Sequence, residues 1–264
     1  MTFIQWIYSS YPNPSISGQW GMLHIGVLVL SIAITVALSI LFRGKSSNDS
    51  KEKARKIVIW TLVGLIFTFE LLRRIINLCK TTDYSLNNML YILLPRPWCA
   101  ISCWLLIASV FVRKKFFYNL ASMSALLCAI IFFAYPSAGV NNQYILFENL
   151  YSISTHALLL ITSICLITLR FTDFRYKTIW KELYGLAIIY AYGILEINVL
   201  DISTDPLYFM EGNEVQEILG LPYGMFIGVY IIFMIIYINV FYLINDRKNV
   251  FVRRKKTIKQ KAVV

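Results

Sequence analysis

The chain has 264 residues, of which 58% are hydrophobic and 15% charged, and its formal net charge is +11. So little polar surface cannot cover a soluble core of that size, which excludes an ordinary soluble protein and predicts an all-α, polytopic membrane protein. The positive charge does not indicate a nucleic-acid-binding protein, because the basic residues are divided among short connections and a tail instead of forming one folded basic domain.

Apolar segments recur along the chain at the length that a membrane span requires. A hydrocarbon layer of about 30 Å takes roughly 20 helical residues. Seven segments meet this length, at about 19–42, 57–78, 89–112, 116–135, 145–169, 179–200 and 221–244. The first has no basic segment before it and no small-residue cleavage site, so we expect a retained helix. We predict seven transmembrane helices in a single membrane domain, 1–264, with a basic tail at 247–264.

The basic residues predict the orientation of these helices. They concentrate in alternate connections, at 43–56, 113–115, 170–181 and 247–264, whereas the 201–220 connection is acidic. Lysine and arginine are enriched in cytoplasmic loops. We therefore expect a multi-pass protein of the cell membrane with its N-terminus outside and its C-terminus inside. The partners that this arrangement implies are membrane lipids, and the sequence names no protein partner.

Four reactive or charged residues are predicted to lie at one depth. Glu70, Cys99, His156 and Glu196 each lie about 14 residues from the nearest basic connection, or roughly 21 Å at 1.5 Å per residue. Ionisable groups at this depth are unfavourable unless they are paired or wetted, so both glutamates should point inward, toward a shared cavity. The alternative for Glu70 is a purely structural pairing with Arg73 or Arg74, three and four residues along the same helix.

The segment LLPRPWCAISCW, residues 93–104, combines two prolines with two cysteines. Pro95 and Pro97 remove backbone donors and disfavour helical geometry before them, so we predict a break that restarts at Pro97. Cys99 would then lie in the first turn of the new helix, where N–H groups and the helix dipole stabilise a thiolate. The alternative is a buried cysteine beside a proline kink. Cys103, one turn deeper, is predicted to be packing.

Only two histidines are present, and both lie in apolar segments. His156, in STHALLL, could accept the proton of Cys99 as a neutral imidazole if the two helices are neighbours, although a structural role is equally open. His24, in GMLHIG, is predicted nearer the outer surface, where it could equally be an interfacial residue. We expect no metal, because no two of these ligands share a short chelating spacing, and no cofactor. The five cysteines are expected to be free thiols.

Four motifs carry a family resemblance. GQWGMLHIGVLVL, LLPRPWCAIS, STHALLL and EILGLPYGMF, within about 17–245, resemble the YwaF-type family of integral membrane proteins, which is related to the transmembrane protein 164 acyltransferases. The resemblance implies Cys99 as the nucleophile and His156 as its partner. One position departs from the pattern: bacterial relatives often carry a histidine two residues before the cysteine, where this chain has Pro97.

Together these features predict a membrane-embedded acyltransferase that moves a fatty acyl group from a phospholipid through a thioester on Cys99, with His156 as base and then acid. The residues expected to bind or orient the substrate are His24, Glu70, Arg73, Arg74, Arg96, Glu196 and Asn198. One alternative is a non-catalytic transporter or a small-ligand or lipid receptor with a polar cavity in the outer half of the membrane. Another is an accessory subunit of a larger complex. An enzyme needs the sulfur of Cys99, whereas a transporter or receptor should tolerate Cys99→Ser.

Overall fold

A computed structural model describes residues 20–42, 49–134, 147–200, 207 and 210–261, and every regular element in these ranges is helical. The helices are α1 (Met22–Phe42), α2 (Asp49–Lys80), α3 (Leu86–Leu93), α4 (Trp98–Val112), α5 (Lys115–Ala134), α6 (Phe147–Thr168), α7 (Ile179–Asn198), α8 (Glu214–Leu219) and α9 (Tyr223–Lys261). The predicted all-α class is confirmed. The chain divides into two compact units, a first unit up to Thr172 and a second unit from Asp173. The single membrane domain stays a prediction.

Several helices are long and apolar enough to cross a membrane. Among the described residues these are α1, α5, α6 and the Tyr223–Asp246 part of α9, and the pair α3 and α4, bent by 62°, adds a fifth if it forms one span. The other two predicted spans coincide with α2 and α7, whose apolar stretches contain charged residues. The helices thus support a membrane protein, while the count of seven spans and the orientation stay predictions.

Two helices extend beyond their predicted apolar segments. Helix α2 begins at Asp49, before the predicted start at 57, and α9 continues to Lys261, through most of the predicted basic tail. The extension of α2 consists largely of lysine, glutamate, alanine and arginine, which favour helix, and it contains a Glu52–Lys56 pair at 2.6 Å. Residues 19, 135 and 145–146 of the predicted spans lie outside the described residues, and so do residues 43–48, 201–206, 208–209 and 262–264 of the predicted connections and tail.

Helix α5 is largely buried in the first unit. Ala121, Ala125 and Ala129 lie four residues apart along it and are fully buried. Small side chains at this spacing allow neighbouring backbones to approach closely, which is how helices associate in lipid. Helix α5 packs against α4 and α6, and α6 in turn contacts α1 and α2. The Ser39 hydroxyl of α1 lies 2.9 Å from the Thr168 hydroxyl of α6.

The second unit is held together by aromatic and polar contacts. Phe174 packs edge-on against Phe241 and Tyr242 of α9, with ring centroids 4.8 and 5.2 Å apart. The hydroxyl of Tyr190 in α7 donates to the hydroxyl of Tyr230 in α9 at 2.6 Å. These contacts join α7, the turn before it and α9 within one unit.

Candidate active site at a broken helix

The third predicted segment is interrupted where its prolines lie. Helix α3 ends at Leu93 and α4 begins at Trp98, with Pro97 in the N-cap position. Since Pro95 and Pro97 have no N–H, the carbonyls of Tyr91 and Leu93 lose their donors four residues ahead. The predicted break is confirmed, and the helix restarts one residue after Pro97, not at it.

Two arginines of α2 donate hydrogen bonds to carbonyls at the break. Arg74 Nε donates to the Leu93 carbonyl at 3.0 Å, which is the carbonyl that Pro97 leaves without a helical donor. Arg73 Nη2 donates to the Arg96 carbonyl at 2.9 Å. An unsatisfied carbonyl is costly in a low-dielectric interior, so these bonds stabilise the break. Helix α2 is therefore hydrogen-bonded both to the end of α3 and to the residues just before α4.

Glu70 is fully buried and both of its carboxylate oxygens are paired. One accepts from Arg74 Nη1 in an ion pair, and the other accepts from the hydroxyl of Tyr151 in α6 at 2.5 Å. The predicted pairing within α2 is confirmed for Arg74. Arg73 does not share it, and its guanidinium lies instead 5.6 Å from the centre of the Tyr151 ring. The carboxylate thus ties α2 to α6 beside the break.

Three buried donors in this cluster have no hydrogen-bond acceptor among the described residues. They are Arg73 Nε, Arg74 Nη2 and Trp104 Nε1. The Arg74 guanidinium lies 5.2 Å from the Trp104 ring centre, so the side chains that carry two of these donors are in contact. Buried donors of this kind are normally paired, and an oxygen-rich ligand is the chemistry that they match.

Cys99 is the second residue of α4 and is half-buried. Its sulfur interacts electrostatically with Arg73 and Glu70, and the backbone N–H groups of Cys99 and Ala100 also interact with it. The expected first-turn position is therefore confirmed. Cys103 is buried, as packing requires. All five cysteines are free thiols.

His156 is held in one orientation by its neighbours. Its Nδ1 lies 2.8 Å from the Ser152 carbonyl, which can only accept, so Nδ1 carries the hydrogen and Nε2 is the basic nitrogen. The ring stacks on Phe132 with centroids 3.8 Å apart. Phe132 lies one turn along α5 from Cys128, which interacts electrostatically with Cys99. One face of α5 thus lies near both Cys99 and His156. Direct contact between Cys99 and His156 stays a prediction.

His24 lies in the protein interior. From the sequence, an interfacial position was equally possible. Its side chain is fully buried, and neither ring nitrogen has a hydrogen-bond partner among the described residues. The ring stacks on Phe133 with centroids 5.7 Å apart and meets Phe132 edge-on at 6.5 Å. Since Phe132 also stacks on His156, the two histidines flank one pair of phenylalanines. Nothing in the sequence IIFFAY indicates this arrangement.

The remaining predicted residues are divided between the two units. Arg96 is buried and its guanidinium lies 4.2 Å from the Tyr91 ring centre. Glu196 is buried in the second unit and accepts from the Tyr192 hydroxyl at 2.7 Å. The exposed Asn198 donates from its amide to the Ile194 carbonyl at 3.2 Å. The predicted common depth of Glu196 and Cys99 stays a prediction.

Tyr151, Trp104 and Phe132 belong to the site but were not predicted. The chain has 17 tyrosines and 17 phenylalanines, and no local pattern distinguishes these members from the others. In the part of the chain that the structure describes, no three His, Cys, Asp or Glu side chains lie close enough together to hold a metal ion.

The model of the TMEM164 family matches residues 19–244. The match covers most of the chain and includes the broken helix, Cys99 and His156. No curated protein and no solved structure matches the chain. The YwaF designation stays a prediction, whereas the predicted relationship to transmembrane protein 164 is confirmed. The chain belongs to the TMEM164 family.

Proposed function

We propose that this membrane protein is an acyltransferase that moves a fatty acyl group between lipids through Cys99. The sulfur attacks the carbonyl carbon of a phospholipid ester, the ester C–O bond breaks, and a lysophospholipid leaves. The acyl group remains on Cys99 as a thioester. The hydroxyl of a second lipid then attacks the thioester and releases the free thiol.

The observation that carries this proposal is the position of Cys99 beside the break. Burial of the sulfur and the charge of Glu70 disfavour the thiolate, whereas Arg73 and the N–H groups of the first helical turn act in favour of the nucleophilic thiolate at this one thiol. The buried Cys103 and Cys165 lie in the hydrophobic core, which favours inert thiols. Membership of the TMEM164 family supports a reaction that takes place in the membrane.

His156 is the proposed proton carrier. Its Nδ1 is committed to the Ser152 carbonyl, so Nε2 is available to accept the Cys99 proton and then to donate it to the departing lipid oxygen. This role requires the two Cα atoms to lie within roughly 10 Å of each other, because only two side chains separate the backbones. An experimental structure with the residues on opposite sides of the core would exclude it.

The buried donors beside Cys99 support a place for the substrate's oxygens. Arg73 Nε, Arg74 Nη2 and Trp104 Nε1 can donate to a lipid phosphate or to the oxyanion that develops on the ester carbonyl. Each arginine already donates to a carbonyl at the break, so its guanidinium is fixed before substrate arrives. Donors fixed in advance stabilise developing charge without reorganisation.

The test is acylation of the purified protein. Incubation with a phospholipid carrying a labelled acyl chain should place label on the wild-type protein and on Cys103→Ser, and neutral hydroxylamine should remove it as it cleaves a thioester. Cys99→Ser should carry no hydroxylamine-sensitive label, and His156→Ala should acquire label at least about a hundredfold more slowly with its fold retained. Equal labelling of wild type and Cys99→Ser would refute the mechanism.

A second function, lipid binding or transport without chemistry, is favoured by the same buried donors. They match a phosphate headgroup whether or not an acyl group is transferred. This function predicts that Cys99→Ser retains phospholipid binding and transport, while Arg73→Gln loses them. The labelling experiment distinguishes the two functions, since only the acyltransferase forms a thioester.

We also propose seven spans with the N-terminus outside, in which α2 and α7 cross the membrane despite their charges. The burial of Glu70 and Arg74 in α2, and of Glu182 and Glu196 in α7, supports this, since charges inside a membrane protein face its interior. A reporter that is active only outside the cytoplasm should work when inserted in the 201–220 connection and fail after Lys261. The reverse pattern would overturn the orientation and the depth that was counted from it.

A further inference from the structure

A separate cavity lies in the first unit where α4 ends and α5 begins. Its volume is about 540 Å³, and in the part of the chain that the structure describes, five basic side chains and a single carboxylate line it. These charged residues are Arg55, Lys56, Arg113, Lys115, Arg170 and Glu52. They come from the N-terminal ends of α2 and α5 and from the residues that follow the C-terminal ends of α4 and α6. The fold thus gathers into one cavity the basic residues of three connections that are separate along the chain.

Some of these charges are already engaged. Lys115 Nζ donates to the Arg170 and Phe171 carbonyls at 3.1 and 2.7 Å, at the end of α6. The hydrogen bond and charge of Lys56 hold the pKa of the Glu52 carboxyl below its ordinary value, so the one carboxylate that lines the cavity among the described residues is ionised and paired near neutral pH. One carboxylate cannot neutralise five basic side chains, so the described lining of the cavity is positively charged.

Arg113 and Arg170 occupy unusual backbone positions at this cavity. They follow the C-terminal ends of α4 and α6, and their φ angles are 55° and 69°. Such left-handed positions after a helix normally carry glycine, because a side chain is disfavoured there. Arginine is present at both positions, on two helices that end at the same cavity. This indicates that the two side chains have a function at the cavity, in addition to ending the helices. Both side chains are exposed.

The walls of the cavity are apolar and aromatic. Ile59, Val110 and Leu169 are buried along it, and Trp60 and Tyr118 also line it. Aromatic side chains beside basic ones are typical of the level of the lipid headgroups. A soluble anion would match only the basic rim, whereas a phospholipid matches the rim with its phosphate and the walls with its glycerol and acyl carbons. The lining therefore favours a lipid.

We infer that this cavity binds the phosphate headgroup of an anionic phospholipid, with Arg113 and Arg170 as its principal contacts. Cys99 lies on α4 about 14 residues from Arg113, or roughly 21 Å along the axis, so the cavity is distinct from the proposed acyl-transfer site. The lipid bound here is not the substrate of Cys99. Its binding does not depend on the proposed chemistry.

The inference is tested with the full-length protein in neutral detergent. Native mass spectrometry should find phosphatidylglycerol retained in preference to phosphatidylcholine when both are supplied equally. Arg113→Gln/Arg170→Gln should weaken retention of phosphatidylglycerol roughly tenfold and leave phosphatidylcholine unchanged. Lys51→Gln/Lys53→Gln removes the same charge from exposed positions of α2 outside the cavity, and it should behave as wild type. Glu52→Gln should raise the retention of phosphatidylglycerol.

Three results would overturn it: no preference for phosphatidylglycerol in the wild type, equal losses in both double variants, or displacement of phosphatidylglycerol by glycerol phosphate at the same concentration. The last would identify a soluble anion as the ligand. If the arginine double variant does not fold, single variants decide. Arg113→Lys should retain phosphatidylglycerol as wild type does and Arg113→Gln should retain less of it, and equal behaviour of the two would also contradict the inference.

Discussion

Proline-marked breaks interrupt the helices in both units, and they are stabilised in different ways. At the break between α3 and α4, Arg73 and Arg74 of another helix donate to the exposed carbonyls. At the break between α8 and α9, two hydrogen bonds are local. The Gly220 N–H donates to the Glu217 carbonyl, and Gln216 Nε2 donates to the Leu221 carbonyl, each at 3.1 Å.

The difference follows from burial. Asn213 caps α8 with its side chain, and Gly220 ends the helix at φ 62°, so this break uses standard caps in a largely exposed segment. In an exposed loop, backbone groups that local caps leave unsatisfied can bond to water. The first break lies beside a buried carboxylate and buried arginines, where water is not available to that extent. Its carbonyls need strong donors from elsewhere in the fold, and those donors also fix the position of Cys99.

Arg74→Leu should have the largest effect on stability. It removes the donor to Leu93 and leaves the buried Glu70 carboxylate without its ion-pair partner, which should lower the free energy of unfolding by about 3–5 kcal/mol. Denaturant titration in detergent measures this. Glu70→Leu/Arg74→Leu should recover part of the loss, because no unpaired charge remains. A cost below about 1 kcal/mol for Arg74→Leu would show that the first break does not depend on α2.

Arg73→Gln should cost less stability, about 1.5–3 kcal/mol for a charged hydrogen bond, but should slow alkylation of Cys99. The alkylation rate at Cys99, followed by peptide mass spectrometry, separates the loss of a nearby charge from a loss of packing. Arg96→Gln is the matched control, since the hydrogen bond from Arg73 goes to its backbone carbonyl and survives the change. Equal slowing in both variants would argue against a specific action of Arg73 on the thiol.

Gly220→Ala should cost about 1–2 kcal/mol, because a side chain is disfavoured at its left-handed φ angle. Gly224→Ala, four residues later and inside α9, should instead be neutral or stabilising by up to about 1 kcal/mol, since a Cβ there meets no atom within 4 Å. Thermal unfolding of the two variants measures the difference. Similar melting temperatures would mean that the second break does not require glycine.

Gln216→Ala should have the smallest effect, about 1 kcal/mol or less, because it removes partly exposed hydrogen bonds from α8 to the residues on either side of it. Gln216→Glu separates its two bonds: the carboxylate still accepts from the Gly212 N–H but no longer donates to Leu221. Amide hydrogen exchange at Gly212 should increase in Gln216→Ala and stay low in Gln216→Glu. Faster exchange in both would assign the protection to some other contact.

Much of the first break could be predicted from local sequence. Two prolines in succession exclude a continuous helix, and the i, i+4 spacing of Glu70 and Arg74 brings oppositely charged groups together on any helix. The roles of Arg73 and Arg74 as donors to Arg96 and Leu93 could not be predicted in this way. Their acceptors are backbone carbonyls 23 and 19 residues away, and every carbonyl looks the same in a sequence.

From the sequence alone follow the helical class, the membrane environment, the place of the break and the first-turn position of Cys99. Each depends on composition or on neighbours within about one helical turn, where the geometry is the same in every fold. Tertiary structure decided the rest: that Tyr151, 81 residues from Glu70, completes its hydrogen bonds, and that Phe132 contacts both His24 and His156. It also gathered basic residues of separate connections into one cavity. These contacts depend on how the helices pack, which is set by the shape of the whole interior.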